Sequence, residues 1–262
     1  MNPPFGRHIE LAVAIVLACW PGLAWSQSAA NPGRQLAPGV LRTIDPDVRS
    51  GDTFSHHDLV ELLNDYPDYE WAKQVRFEHD VWALEFSFKP LRFIEIDVPD
   101  EDRRPRRRLV WYMVYRVRNP SDHWVPFYPI FVLESRDVGK QYADRLVPAA
   151  GPIIQRRESP PARLLNTVEI SGDLAPSDDE KDRAVWGVVT WYDIDPRTDR
   201  IAIYVQGLTN AYRWQEKTDG QDRLTRKALE LHFWRPGDQF FEHESEIRFG
   251  MPGEVDYRWV YR

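Results

Sequence analysis

Leu109-Val110-Trp111-Tyr112-Met113-Val114-Tyr115-Arg116-Val117-Arg118-Asn119-Pro120 decides the fold class. Leu109, Trp111, Met113, Tyr115 and Val117 alternate with Val110, Tyr112, Val114, Arg116 and Arg118. Successive side chains on a strand point to opposite faces, so this is a period of two and not the three-to-four spacing of a helix. Asn119-Pro120-Ser121-Asp122 closes the run as a turn.

The same period recurs on both sides. Upstream, Trp82, Leu84, Phe86 and Phe88 alternate with Ala83, Glu85 and Ser87 up to Pro90, and Arg92, Ile94, Ile96 and Val98 follow as the next strand. A charged stretch over residues 100–108 separates that strand from the opening run. Downstream, a strand over 124–133 carries Pro126 and Pro129, which suits an edge or a bulge. Residues 135–182 are less regular, with Pro148, Pro152, Pro160 and Pro161, and 167–171 reads as a short strand. Strand patterning resumes over 185–192, 201–205, 224–234, 244–249 and 255–261. Gly207, just past one strand, predicts a bulge or a close backbone approach. Roughly nine short strands and one helix imply an all-β domain over 76–262, a sandwich or an open barrel.

The helix lies in a segment spanning 51–75. Ser55 and Asp58 form a capping box flanked by Phe54 and Leu59, and Leu59, Leu62 and Leu63 make one apolar stripe before Pro67 stops it. Residues 27–50, rich in Ala, Ser, Gln, Pro and Gly, read as a flexible linker. Residues 1–26 read as a signal peptide. Arg7 precedes an apolar stretch too short to span a bilayer, and Ala24-Trp25-Ser26 places cleavage between Ser26 and Gln27. Periplasmic or secreted localisation follows. The rival is a lipoprotein anchored through Cys19, since Val16-Leu17-Ala18-Cys19 resembles the bacterial lipobox.

The single cysteine leaves with the leader, so disulfides and thiolate metal sites are not expected. A net charge of −7 argues against nucleic acid as a partner. Hydrophobic residues at 42% and aromatics at 13% suffice for a core without disulfides. No transmembrane span is expected in the mature chain.

Two resemblances accompany this reading. The opening run, with its Asn-Pro turn, resembles the central strand of immunoglobulin-like extracellular domains, which implies an immunoglobulin-like β-sandwich. More broadly, residues 82–262 are similar to uncharacterised secreted proteins of planctomycete-type bacteria. The residues that carry this are the runs Phe88 to Pro99, Tyr204 to Trp214, Phe233 to Asp238 and Pro252 to Arg262. The likeness implies export and fold class, and it transfers no active site.

Candidate functional residues fall into a few groups. Arg103, Arg104, Arg106, Arg107 and Arg108 could contact an anionic polymer or partner, although Asp100, Glu101 and Asp102 beside them point to a solvated hairpin. Tyr212 and Trp214, beside an expected loop over 210–222, could stack on sugar rings. Glu242, Glu244 and Glu246 share a strand face, about 7 Å between neighbours, and read as a solvent-facing edge more than an acid–base pair. Asp193, Asp195 and Asp199 lack the glycine and glutamate of a calcium loop. The histidines, His232 among them, have no metal-ligand spacing. No nucleophile elbow, phosphate loop or zinc-protease helix is present. The sequence therefore predicts an exported, non-catalytic module with no cofactor, bound to an envelope protein or polysaccharide. A carbohydrate-binding or carbohydrate-active protein is the alternative.

Overall fold

In the fold, the run at 109–118 becomes the middle of a sheet rather than an edge. A computed structural model of the chain describes residues 41–47, 81–100, 102–178, 180–215, 223–235 and 247–262. β1 (Arg42–Ile44) pairs antiparallel with β2 (Glu85–Phe88), so part of the stretch expected as linker is a strand. β2 and β3 (Arg92–Pro99) both pair with β4 (Pro105–Arg118), along one edge. Their registers differ by one residue, which makes Lys89-Pro90-Leu91 a bulge in one long strand. Pro90 has no N–H for the ladder, while the Lys89 N–H still reaches the Val114 carbonyl at 2.8 Å.

The expected strand over 124–133 is two strands. β5 (Val125–Phe127) and β6 (Ile130–Ser135) part at Pro129 and enter different sheets. β7 (Lys140–Ala143) folds back on β6, α1 (Ala150–Glu158) follows, and β8 (Gly172–Leu174) returns to β5. β9 (Val185–Tyr192) takes the second edge of β4. β10 (Arg200–Gln206) lies between β6 and β12 (Arg223–Trp234). β11 (Tyr212–Gln215) continues β10 along β12 after a bulge. β13 (Arg248–Phe249) and β14 (Tyr257–Tyr261) occupy the other edge of β12.

The result is an all-β sandwich of antiparallel sheets, none closed into a barrel. Its core lies between the sheets. Phe86, Phe88, Trp111, Met113, Tyr115, Val189 and Trp191 face Phe131, Leu133, Ile203, Val205, Leu229, Leu231 and Phe233. Aromatic contacts cross the interface, with Tyr115 4.9 Å from Phe131 and Phe88 5.9 Å from Phe233. Each such side chain contributes about 1.5–3 kcal/mol by burial.

A second core covers the outer face of the first sheet. Ile94, Ile96, Val110, Tyr112 and Val114 pack under Val147, Ala150, Ile154 and Leu164. Both faces of β4 are thus buried where both of its periods are apolar. The prolines of the less regular region do not prevent α1. Pro152 sits in the first turn, where its missing N–H has no intrahelical partner to lose, and Pro160 and Pro161 follow the left-handed Ser159 that ends the helix. Residues 167–170 are turns, not the expected strand. The leader, the rest of the linker and the expected helix within 51–75 lie outside the described residues. Among the described residues, no helix is long and apolar enough to cross a membrane.

Candidate functional site

The bulge between β10 and β11 builds the strongest candidate. At Gly207 the chain turns with φ +92°, pressed against the Tyr128 main chain. Residues 208–210 then reach across to the segment that leads into β2. Leu84 N–H donates to the Leu208 carbonyl at 2.8 Å, Ala83 bridges Thr209, and Trp82 N–H donates to Asn210 Oδ1 at 3.0 Å. These contacts enclose a hollow of about 420 Å³ walled by Trp82, Pro126, Tyr128, Tyr212, Leu224 and Arg226. That volume is within the range of small-ligand sites.

The exposed side of β5 extends the hollow. Val125 and Phe127 are buried, whereas Trp124, Pro126, Tyr128 and Ile130 alternate outward, Trp124 at 63% and Tyr128 at 62% exposure. Exposed aromatics in a row, beside a half-buried hollow, are uncommon on a surface with no partner. Tyr212 opens strand β11 directly after the bulge and stands directly across from Arg226, while residues 216–222 of the expected loop lie outside the described residues. Cross-strand partners share a face, so the two side chains lie on the same side of the hairpin. The Trp214 backbone pairs with Leu224 in the same hairpin, but its side chain is outside the described residues. Tyr212 was legible as a candidate. Trp82, Tyr128 and Arg226 were not, because they come together through the bulge and not through sequence spacing. The alternation of Trp124, Pro126 and Tyr128 around prolines was the available signal.

The arginine hairpin is less open than its sequence suggests. Asp100 Oδ1 accepts the N–H groups of Asp102 and Arg104 at 3.0 and 2.9 Å, shaping a turn with Arg103 in left-handed backbone. Arg107 lies 3.7 Å from Glu95. Arg108 bonds Asp193 and stacks over Tyr192, its guanidinium carbon 5.2 Å from the ring centre. Arg103, Arg104 and Arg106 are exposed and carry no ion pair among the described residues. The neighbouring recess, lined by Arg106, Arg107, Arg108 and Asp193, therefore holds its own counter-charge.

The aspartates of the 193–199 turn serve three different arginines. Asp193 pairs with Arg108, Asp195 with Arg197 at 2.9 Å and Asp199 with Arg235 at 3.0 Å. The Arg197 guanidinium holds the Asp195 carboxyl down to about 2. His123 is exposed beside Asp122, and the segment containing Glu242, Glu244 and Glu246 lies outside the described residues. Among the described residues, no three His, Cys, Asp or Glu side chains gather as a metal site would require.

Two buried ionic networks went unread in the sequence. On the outer face of the second sheet, Glu230 accepts from Arg136 at 2.6 Å and Arg258 at 2.6 Å, and it lies 3.0 Å from His232 Nε2. His232 Nδ1–H donates to the Val255 carbonyl at 2.6 Å. Burial raises the Glu230 carboxyl, yet His232 and Arg258 outweigh it and hold the group well below the usual carboxylate range. Under α1, Glu158 accepts from Tyr112 at 2.7 Å, Arg92 at 2.9 Å and Lys89 at 3.1 Å. Burial again opposes ionisation, and Tyr112, Arg92 and Lys89 again win. Both carboxylates have their lone pairs occupied, which suits them to fixing geometry and not to moving protons.

No protein-family model matches the chain, no curated protein is similar to it, and no solved structure matches its fold.

Proposed function

We propose that the protein is exported and acts as a non-catalytic binding module of the bacterial envelope, taking its partner protein or polysaccharide at the hollow between β5, β11 and β12. The observation that carries this reading is the exposed aromatic row of Trp124 and Tyr128 running into the wall formed by Trp82 and Tyr212. A rigid two-sheet scaffold presents these residues from strands and a pinned bulge, so little order must be gained on binding. Export rests on the leader, with Cys19 acylation as the variant outcome for an anchored form.

The test is retention of the purified protein on an insoluble envelope fraction, compared with Tyr128→Ala and Tyr212→Ala. The expected result is retention of wild type and loss in both variants, with no fragments released from the fraction. Equal retention of all three proteins would remove the hollow from the function.

A further inference from the structure

The hollow has a charge pattern that its aromatic walls alone do not explain. Among the described residues that line it, Arg226 is the only charged one. Its side chain is exposed, and among the described residues it has neither ion pair nor hydrogen bond. Elsewhere on this acidic chain most described arginines near carboxylates are paired, as Arg107, Arg108, Arg136, Arg200 and Arg258 show. A lone guanidinium directly across from Tyr212, with Leu224 two positions away, favours a ligand with an apolar face and an anionic edge.

The walls also say what the ligand does not need. Three of the main-chain groups at the floor of the hollow are taken. The Leu208 carbonyl accepts from Leu84 and the Ala211 carbonyl from Lys227, while the Ala211 N–H donates to Thr209 Oγ1 at 3.2 Å. A peptide added as a strand would not find these three groups free. A sugar ring needs none of them. Its C–H face packs on an aromatic ring, and its hydroxyls remain at the solvent side.

We propose that this hollow holds a uronic-acid residue of an acidic polysaccharide, its ring face against Tyr212 and its carboxylate on the Arg226 guanidinium. The inference rests on the binding-module reading above and names the class of partner. A uronate fits because its carboxylate projects from the ring edge, beside the face that stacks, which matches a guanidinium beside an aromatic ring. A bidentate pair of this kind is charge-assisted and directional. The row Tyr128, Pro126 and Trp124 continues about 13 Å along β5, room for further sugars of the same chain.

The experiment is calorimetric titration of the full chain with polygalacturonate, alginate and hyaluronate, each beside its carboxyl-reduced neutral counterpart. At least one uronate is expected to bind, and carboxyl reduction to weaken it about tenfold. Arg226→Gln is expected to remove that difference, Tyr212→Ala to abolish binding of both forms, and Arg106→Gln, outside the hollow, to change nothing. Arg226 is exposed, so its variant should keep the wild-type unfolding midpoint. Arg226→Gln that still distinguishes the acidic from the neutral polymer would overturn the proposal. So would hollow-dependent envelope retention with no uronate bound, or retention abolished by protease treatment of the envelope. Those last two outcomes leave the binding-module reading standing, whereas retention independent of Tyr128 and Tyr212 removes it.

Discussion

At Gly207 the backbone turns with φ +92°, and a Cβ there would stand 2.6 Å from the Tyr128 carbonyl oxygen. Strain at positive φ alone costs about 1–3 kcal/mol, and the backbone clash adds to it. Gly207→Ala is therefore expected to lower the urea midpoint by that amount or more and to displace Tyr128, weakening whatever the hollow binds. Glu230 makes a second residue-scale expectation. Its folded-state affinity for a proton is depressed below the ordinary value of 4.5, so its contribution is present above that value and is lost as pH falls. Glu230→Gln removes the carboxylate that Arg136 and Arg258 share, and because Arg136 keeps Glu254 and Arg258 is half exposed it is expected to cost about 1–2 kcal/mol at pH 7. The gap between variant and wild type should narrow as pH falls below about 4.5, measured by denaturant unfolding across the acid range. A gap independent of pH would mean that ionisation of Glu230 contributes nothing.

Among the elements, β4 and α1 depend on each other. α1 has no side-chain cap at its start, and Arg156 and Arg157 in its last turn contribute only weakly through the helix dipole, so its stability comes mainly from docking. Ile154 and Ala150 fasten it to Tyr112 and Val114, and Glu158 fastens its end through Lys89, Arg92 and Tyr112. Ile154→Ala is expected to cost about 2–4 kcal/mol. In hydrogen exchange it should speed the α1 amides strongly and leave the β4 amides protected, since β4 is held by ladders on both edges. Tyr112→Phe removes one bond to a buried carboxylate and is expected to cost about 1–2 kcal/mol by the same denaturant measurement. The strands around them were legible because alternation survives in a single sequence. β9 and β10 fall within one residue of where Val185 and Ile201 place them. α1 was not legible. Its prolines stand at the two helix positions that tolerate them, and its apolar side is too narrow to show as a stripe.

Over the whole molecule, the described elements belong to one unit, Pro32–Arg262, with both sheets sharing a single aromatic core. Tryptophan fluorescence and far-ultraviolet circular dichroism are expected to give coincident denaturant transitions. Separate midpoints would mean that the sheets unfold independently. The candidate site belongs to this scale too. Tyr212 could be singled out from its own neighbourhood, but Trp82, Tyr128 and Arg226 reach it from separate parts of the chain. The sequence by itself determined the β class and most strand positions, together with a bulge or close approach at Gly207, because alternation and punctuation by glycine act between near neighbours. Only the tertiary structure decided that β4 is covered on both faces, that Asp193 neutralises part of the arginine hairpin, and that three rings and one guanidinium share a hollow. Those outcomes depend on strand register and sheet order, which are set by contacts between residues far apart in the chain.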